Sequence, residues 1–192
     1  LRTLFARIPA GEALLCANSM PIRQLDTWSG SRRAPLFIHA NRGVSGIDGQ
    51  LSTLAGLNHA GRPTWALLGD LSFCHDLSGL FLAGELQRPI LVLNNGGGRI
   101  FDYLPQHGVP GFEALWRTPV DPDLPGLAAT FGLTHRAVGD AVSLNQALDA
   151  ALAADADAPM LIEIHLDAEH SRAAHLAFWQ TVAALPASAL GL

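Results

Sequence analysis

Asp70 and Asn95 are hard oxygen ligands at the ends of two short apolar runs, and their types and spacing point to a cradle for magnesium and a diphosphate. Thr64-Trp65-Ala66-Leu67-Leu68 precedes Gly69-Asp70-Leu71-Ser72, and Ile90-Leu91-Val92-Leu93 precedes Asn94-Asn95-Gly96-Gly97-Gly98, with Pro63 and Pro89 bounding the runs. Both runs read as buried parallel strands. Between them Asp76 is placed to cap a helix with Leu77, Leu80, Phe81 and Gly84 on one face, which completes a strand-helix-strand unit. The 25 positions from Asp70 to Asn95 suit one crossover. Ligands of open α/β sheets gather outside the carboxyl ends of the strands, where both residues then sit. Asp70, the Asn95 side chain and a carbonyl of the glycine run supply three oxygens of an octahedron that phosphate and water complete. Glycines let the main chain bend sharply and approach a phosphate. Taken separately the two motifs are ordinary turns; together, at crossover spacing, they favour a site.

Arg23 and Arg42 each follow a strand end near this cradle, a placement suited to bidentate grip on carboxylates. Their plainer reading is surface salt bridging. Ser19, four positions before Arg23, fits the same short helical turn. Phe101, Tyr103 and Leu104 after the glycines read as core or as pocket lining. His165, His170 and His175 are spaced by five, about 140° apart on a helix, which argues against a shared metal. His39, near a strand end, is expected to be buried and hydrogen-bonded. The glycines of 43–49 lack the GxGxxG spacing, and neither GxxxxGK[ST] nor GxSxG occurs, so dinucleotide, P-loop and nucleophile-elbow chemistry have no support.

Strands at 13–17 and 36–39, helices at 1–8, 22–28 and one from Leu51, and, past the glycine loop, helices at 125–131 and 144–154 and a strand at 160–165 are expected around the central unit. Ser171 is placed to cap a terminal helix through Leu185, so 171–192 reads as a C-terminal helix and tail. Alternating strands and helices imply a three-layer α/β/α sandwich on a mainly parallel sheet, and residues 1–192 read as a single domain. At 192 residues, 49% hydrophobic and 15% charged, the chain can bury a sizeable core. A net charge of −5 and the lack of a long basic run argue against nucleic-acid binding. Two cysteines, Cys16 and Cys74, build no disulfide framework or CxxC zinc site, and no apolar segment has the length of a membrane span, so a cytoplasmic location is expected. The start at Leu1-Arg2-Thr3, without methionine, raises the expectation of a fragment of a longer product.

Gly-Asp followed some 25 residues later by Asn-Asn resembles the diphosphate motif of thiamine-diphosphate enzymes. With Asn18-Ser19-Met20-Pro21-Ile22-Arg23, Asn41-Arg42-Gly43-Val44-Ser45-Gly46-Ile47-Asp48-Gly49 and Asn94 to Phe101, the chain from about Leu14 to Ile164 resembles the C-terminal, diphosphate-binding domain of the 2-succinyl-5-enolpyruvyl-6-hydroxy-3-cyclohexene-1-carboxylate synthase family of menaquinone biosynthesis. The resemblance implies thiamine diphosphate and Mg²⁺ or Mn²⁺ as cofactors, with Asp70, the Asn95 side chain and the Gly97 carbonyl on the metal. It further implies Gly69, Leu71, Ser72 and Gly98 against the cofactor and Ile47 as the bulky residue beneath its bent form, pressing the aminopyrimidine amine towards the thiazolium carbon. Ser19, Arg23 and Arg42 would bind substrate carboxylates, and Ile100, Phe101 and Leu104 would shape an apolar pocket. The implied reaction decarboxylates 2-oxoglutarate and adds the succinyl unit to isochorismate. Leu71 stands where the general motif often has Gly, and Gly96 where a third Asn often follows; neither change removes a ligand. The family's activating glutamate is carried by a separate N-terminal pyrimidine-binding domain across a subunit interface of a homodimer or homotetramer, and Glu12, Glu85, Glu113, Glu163 and Glu169 have no comparable context. The chain is therefore expected to hold half a site and to be inactive alone. A domain of another 2-oxo acid decarboxylase or acetolactate-type synthase, and a non-catalytic folding and association module, are the alternatives.

Overall fold

In a computed structural model, residues 1–41, 46–153, 158–186 and 188 are described. Six strands, β1 (Ala13–Cys16), β2 (Phe37–His39), β3 (Thr64–Gly69), β4 (Ile90–Asn94), β5 (Thr134–Val138) and β6 (Met160–His165), form one all-parallel sheet in the order β2-β1-β3-β4-β6-β5. Period-two alternation sends Leu15, Ala66, Leu68, Ile90 and Val92 to one face and Leu14, Cys16, Trp65, Leu67, Leu91 and Leu93 to the other. Helices α1 (Arg2–Arg7), α2 (Met20–Trp28) and α6 (Ala141–Ala151) cover the second face through Leu4, Leu25, Leu144 and Leu148. The first is covered by α3 (Gln50–His59), α5 (Leu124–Thr130) and the 77–85 segment, through Leu51, Leu54, Leu80 and Leu124. The result is the three-layer α/β architecture expected from the strand and helix alternation. The chain moves from β1 to its neighbour β2 on one side and then to β3 on the other, so a topological switch point lies between β1 and β3.

Five local points differ from the expectations. The segment after Asp76 is not an α-helix: a short helix, α4 (Asp70–His75), ends first, and Leu77–Glu85 winds as 3₁₀. Its three-residue period buries Leu80 and Ala83, and leaves Phe81 83% exposed against the edge of Phe131. Asp76 makes no cap with its side chain; the carboxylate instead accepts from the Ser52 amide at 2.9 Å and the Ser52 hydroxyl at 3.3 Å, tying this segment to α3. Ser171 is not the terminal cap: α7 (Ala168–Ala183) begins earlier, and Asp167 accepts from the His170 amide. Strand β5 has no counterpart in the sequence reading, because an edge strand of Thr-His-Arg-Ala-Val with mostly exposed side chains carries no apolar run. His39 is half-buried, and its Nε2 has no hydrogen-bond partner among the described residues.

The 3₁₀ segment lies so close to α3 that a Cβ at Gly79 would sit 2.7 Å from the Ser52 nitrogen and from Leu51 Cβ, whereas one at Gly84 would meet nothing within 4 Å. Backbone and Cβ atoms cannot swing aside as a side-chain tip can. Gly79→Ala is expected to destabilise the fold by about 1–3 kcal/mol in urea unfolding, while Gly84→Ala stays within about 1 kcal/mol of wild type.

Candidate functional site

A narrow cleft opens at the carboxyl ends of β1, β3 and β4, beside the switch point. The strand ends deliver its walls: Ser19 and Met20 follow β1, Gly69 ends β3 and Asp70 to Ser72 follow it, and Leu93, Asn95, Gly97 and Gly98 come with β4. Parallel pairing sets Gly69 opposite Leu93, so the residues just beyond the strand ends meet.

Asp70 is the centre of that meeting. Its carboxylate is 2% exposed; Oδ2 accepts from the amides of Asn95 at 2.9 Å, Gly96 at 2.7 Å and Gly97 at 3.0 Å, and Oδ1 from the Leu71 amide at 2.6 Å. Four amide dipoles thus converge on one anion, and the turn after β4 is wrapped around it. Gly96 and Gly97 have φ of +81° and +111°, and a Cβ at Gly97 would come within 2.5 Å of the Thr118 carbonyl oxygen. Only glycine fits there. The Asn95 side chain makes no hydrogen bond among the described residues, and the Gly97 carbonyl, which accepts from the Arg99 amide at 2.7 Å, keeps a second lone pair. With the single donor on Asp70 Oδ1, this leaves hard oxygens of a carboxylate after β3 and of an amide and a main-chain carbonyl in the turn after β4, a donor set that suits magnesium. Among the described residues no group of three or more His, Cys, Asp and Glu is arranged to hold a metal.

Supporting groups lie behind the cleft. The Asn94 amide donates to Glu163 at 2.6 Å, and Glu163, itself buried, is also within 2.9 Å of His135 Nε2, which holds the end of β4 against β6 and β5. Asn18 donates to the carbonyls of Asn41 and Gly46, both at 2.6 Å, and Asn41 donates to the Thr53 hydroxyl at 3.1 Å. These amides fix the main chain at Asn41 and at Gly46, the latter next to Ile47 in the cleft. His165 is exposed and faces Glu163 at 3.3 Å, whereas buried His175 accepts from the Trp28 indole at 2.9 Å and is committed to a structural contact.

The cleft therefore brings together Ser19, Ile47, Gly69, Asp70, Leu71, Ser72, Asn95, Gly97 and Gly98. Arg23 is exposed and outside it; its guanidinium folds back onto the Ser19 carbonyl at 2.6 Å. Successive helix positions differ by about 100°, so the buried row Met20 and Gln24 takes the cleft face and Arg23 is turned aside. Ile100, Phe101 and Leu104 do not line the cleft; Phe101 packs edge-on to Trp116 at 6.0 Å, and Leu104 is exposed. Arg42 lies outside the described residues. The sequence reading missed Met20, Pro21, Gln24, Leu93 and Arg99 as lining. The i, i+4 pair Met20 and Gln24 was the available signal, a polar residue on the inward row of a helix.

No family profile matches the chain. Among curated proteins it is similar to 2-succinyl-5-enolpyruvyl-6-hydroxy-3-cyclohexene-1-carboxylate synthases. That of Lactococcus lactis is 42% identical over 164 residues, covering 84% of this chain and 29% of the relative. The Dechloromonas aromatica protein is 45% identical over 164 residues, 85% of this chain and 30% of the relative. The Thermobifida fusca protein is 41% identical over 191 residues, 95% and 33% respectively. The chain spans about three-tenths of the length of these relatives.

Two consequences are measurable without any ligand. Asp70→Ala leaves the amides of Asn95, Gly96 and Gly97 without their acceptor, and a loss of about 2 kcal/mol is expected in urea unfolding. Burial pushes the Cys16 thiol up to about 12. At pH 8 its thiolate fraction is then of the order of one in ten thousand, and Cys16 is expected to stay unmodified by a disulfide reagent until the chain unfolds.

Proposed function

By sequence the chain belongs, over the segment it represents, to the 2-succinyl-5-enolpyruvyl-6-hydroxy-3-cyclohexene-1-carboxylate synthase family, and on that premise we propose that it carries the metal- and diphosphate-holding wall of a thiamine-diphosphate-dependent transferase site. The observation that carries this reading is the Asp70 carboxylate clasped by the turn of Asn95 to Gly97, with hard oxygens left over on all three residues. Asp70 Oδ1, the Asn95 side-chain oxygen and the Gly97 carbonyl would hold Mg²⁺, and the glycines leave room for the diphosphate to approach the main chain. Thiamine diphosphate, when bound, supplies an electron sink for loss of CO₂ from a 2-oxo acid. This chain's own part is to bind, orient and bend: Ile47 would press on the cofactor from beneath, and Gly69, Leu71, Ser72 and Gly98 would line it.

In the full-length protein the reaction would be decarboxylation of 2-oxoglutarate and transfer of the succinyl unit to isochorismate, on the path to menaquinone. Both substrates are polyanions, which suits Ser19 with Arg23 and Arg42 as carboxylate contacts. In this structure Arg23 is held on the Ser19 carbonyl, so engaging a substrate would require it to exchange that acceptor for a carboxylate. Ile100, Phe101 and Leu104 would form the apolar part of the acceptor pocket once the site is complete. The remaining wall, with the glutamate that activates the pyrimidine ring, would come from an N-terminal domain across a homo-oligomer interface.

Calorimetry on the full-length protein tests the reading. Saturable, Mg²⁺-dependent binding of thiamine diphosphate is expected, and Asp70→Ala is expected to abolish it; an absence of binding in wild type overturns the proposal. Turnover of pyruvate in place of 2-oxoglutarate with isochorismate would move the assignment to another 2-oxo acid enzyme.

A further inference from the structure

Asp102 is a carboxylate 2% exposed, in the 3₁₀ turn Arg99–Tyr103 that follows the glycines, and no binding role uses it. Its Oδ1 accepts from Arg117 Nε and its Oδ2 from an Arg99 terminal nitrogen at 3.4 Å, while its main-chain carbonyl accepts from Arg172 Nε at 2.9 Å. Both Arg99 and Arg117 also reach the turn around Asp70. Arg99 Nε donates to the Asn95 carbonyl at 3.0 Å, and the Arg117 carbonyl accepts from the Gly98 amide at 2.6 Å. One buried anion therefore fixes two cations, and each cation's residue holds one end of the turn.

The contact is close as well as polar. A Cβ at Gly98 would lie 2.8 Å from the Arg117 carbonyl oxygen, and one at Gly97 would lie 3.1 Å from it, so the main chain at Arg117 is the surface on which the turn rests. Asp70 grips that turn from the inside through Asn95, Gly96 and Gly97; Arg117 and Arg99 grip it from the outside through Gly98 and Asn95. Glu113 and Glu169 also face the two arginines, but both are exposed, and exposed pairs position little. Asp102 is buried, and a buried charge-assisted pair is directional.

We propose that Asp102 is a positioning residue for the metal- and diphosphate-holding turn, setting through Arg99 and Arg117 the orientation of the Asn95 and Gly97 oxygens without touching either ligand. This rests on the proposed function for what the turn holds, but the clamp itself does not. In the full-length protein, Asp102→Asn keeps the side-chain shape while removing the charge. Two quantities are read: amide exchange across 95–98 in metal-free protein, and affinity for Mn²⁺ with thiamine diphosphate, followed by the Mn²⁺ spin-resonance signal. Exchange at Gly98 is expected to quicken about tenfold and affinity to fall about tenfold, the size usual for groups that orient ligands from behind. Asp102→Glu is expected to recover part of both, and Glu113→Gln to change neither by as much as twofold. Unchanged exchange in Asp102→Asn overturns the clamp. Faster exchange with unchanged affinity, or an equal effect from Glu113→Gln, overturns the positioning role. If wild type binds no Mn²⁺ and cofactor, the proposed function fails, and exchange still reports on the clamp. Should Asp102→Asn not fold, Arg117→Lys, which keeps a charge and loses the Nε donor, reads the same two quantities with the same expectations.

Discussion

Three main-chain amides of one turn point at a single carboxylate oxygen, and the carboxyl-end face of the sheet is arranged around that contact. Asp70 begins a helix after β3, Asn95 follows β4, and parallel pairing of the two strands in one register brings the carboxylate within reach of the next turn. A buried anion left without donors is costly, and so is a buried amide without an acceptor. Each satisfies the other here. The shape of the turn follows: its positive φ angles and its need for glycine.

Around this centre the loops have no ladder to hold them, so polar side chains take over that task. Asn18 ties down the carbonyls of Asn41 and Gly46, Asn94 is tied to Glu163, and Arg23 caps the carbonyl of Ser19. The Asn18 and Asn94 staples join the end of one strand to a segment remote in sequence, whereas that of Arg23 is local to the start of α2. The strand-end segments that line the cleft are thereby tied to the framework by hydrogen bonds, most of them partly buried, a construction that favours a rigid wall over a mobile one. On the far side of α2, Trp28, Tyr103, His175, Phe178 and Trp179 pack edge to face and dock α7 onto the same framework.

Much of the fold was legible because buried parallel strands leave a plain trace. The runs at 13–16, 65–68 and 90–93 are continuous apolar segments, and 160–164 is apolar but for the buried Glu163, since both faces of each strand are covered. Strand β5 left no such trace because it sits at an edge with most of its side chains in water. The 77–85 segment was misread for a different reason. Its apolar residues fit a 3.6-residue period on paper, but close approach of Gly79 to α3 accompanies a tighter winding, and Phe81 goes to solvent. Gln24 escaped notice as cleft lining, although its i, i+4 relation to Met20 was readable.

By itself, the sequence determined the strand ends that carry Asp70 and Asn95, the glycines of the turn that follows β4, and the family, because these depend on residue type and on spacing along the chain. Which residues share the cleft was decided only by tertiary structure. Helix phase turned Arg23 aside, edge packing took Phe101 to Trp116, and the fold brought Asp102, Arg99 and Arg117 together behind the turn. Local periodicity says which face a side chain takes, but contacts between segments remote in sequence follow from the order and register of the strands, which no short stretch of sequence contains.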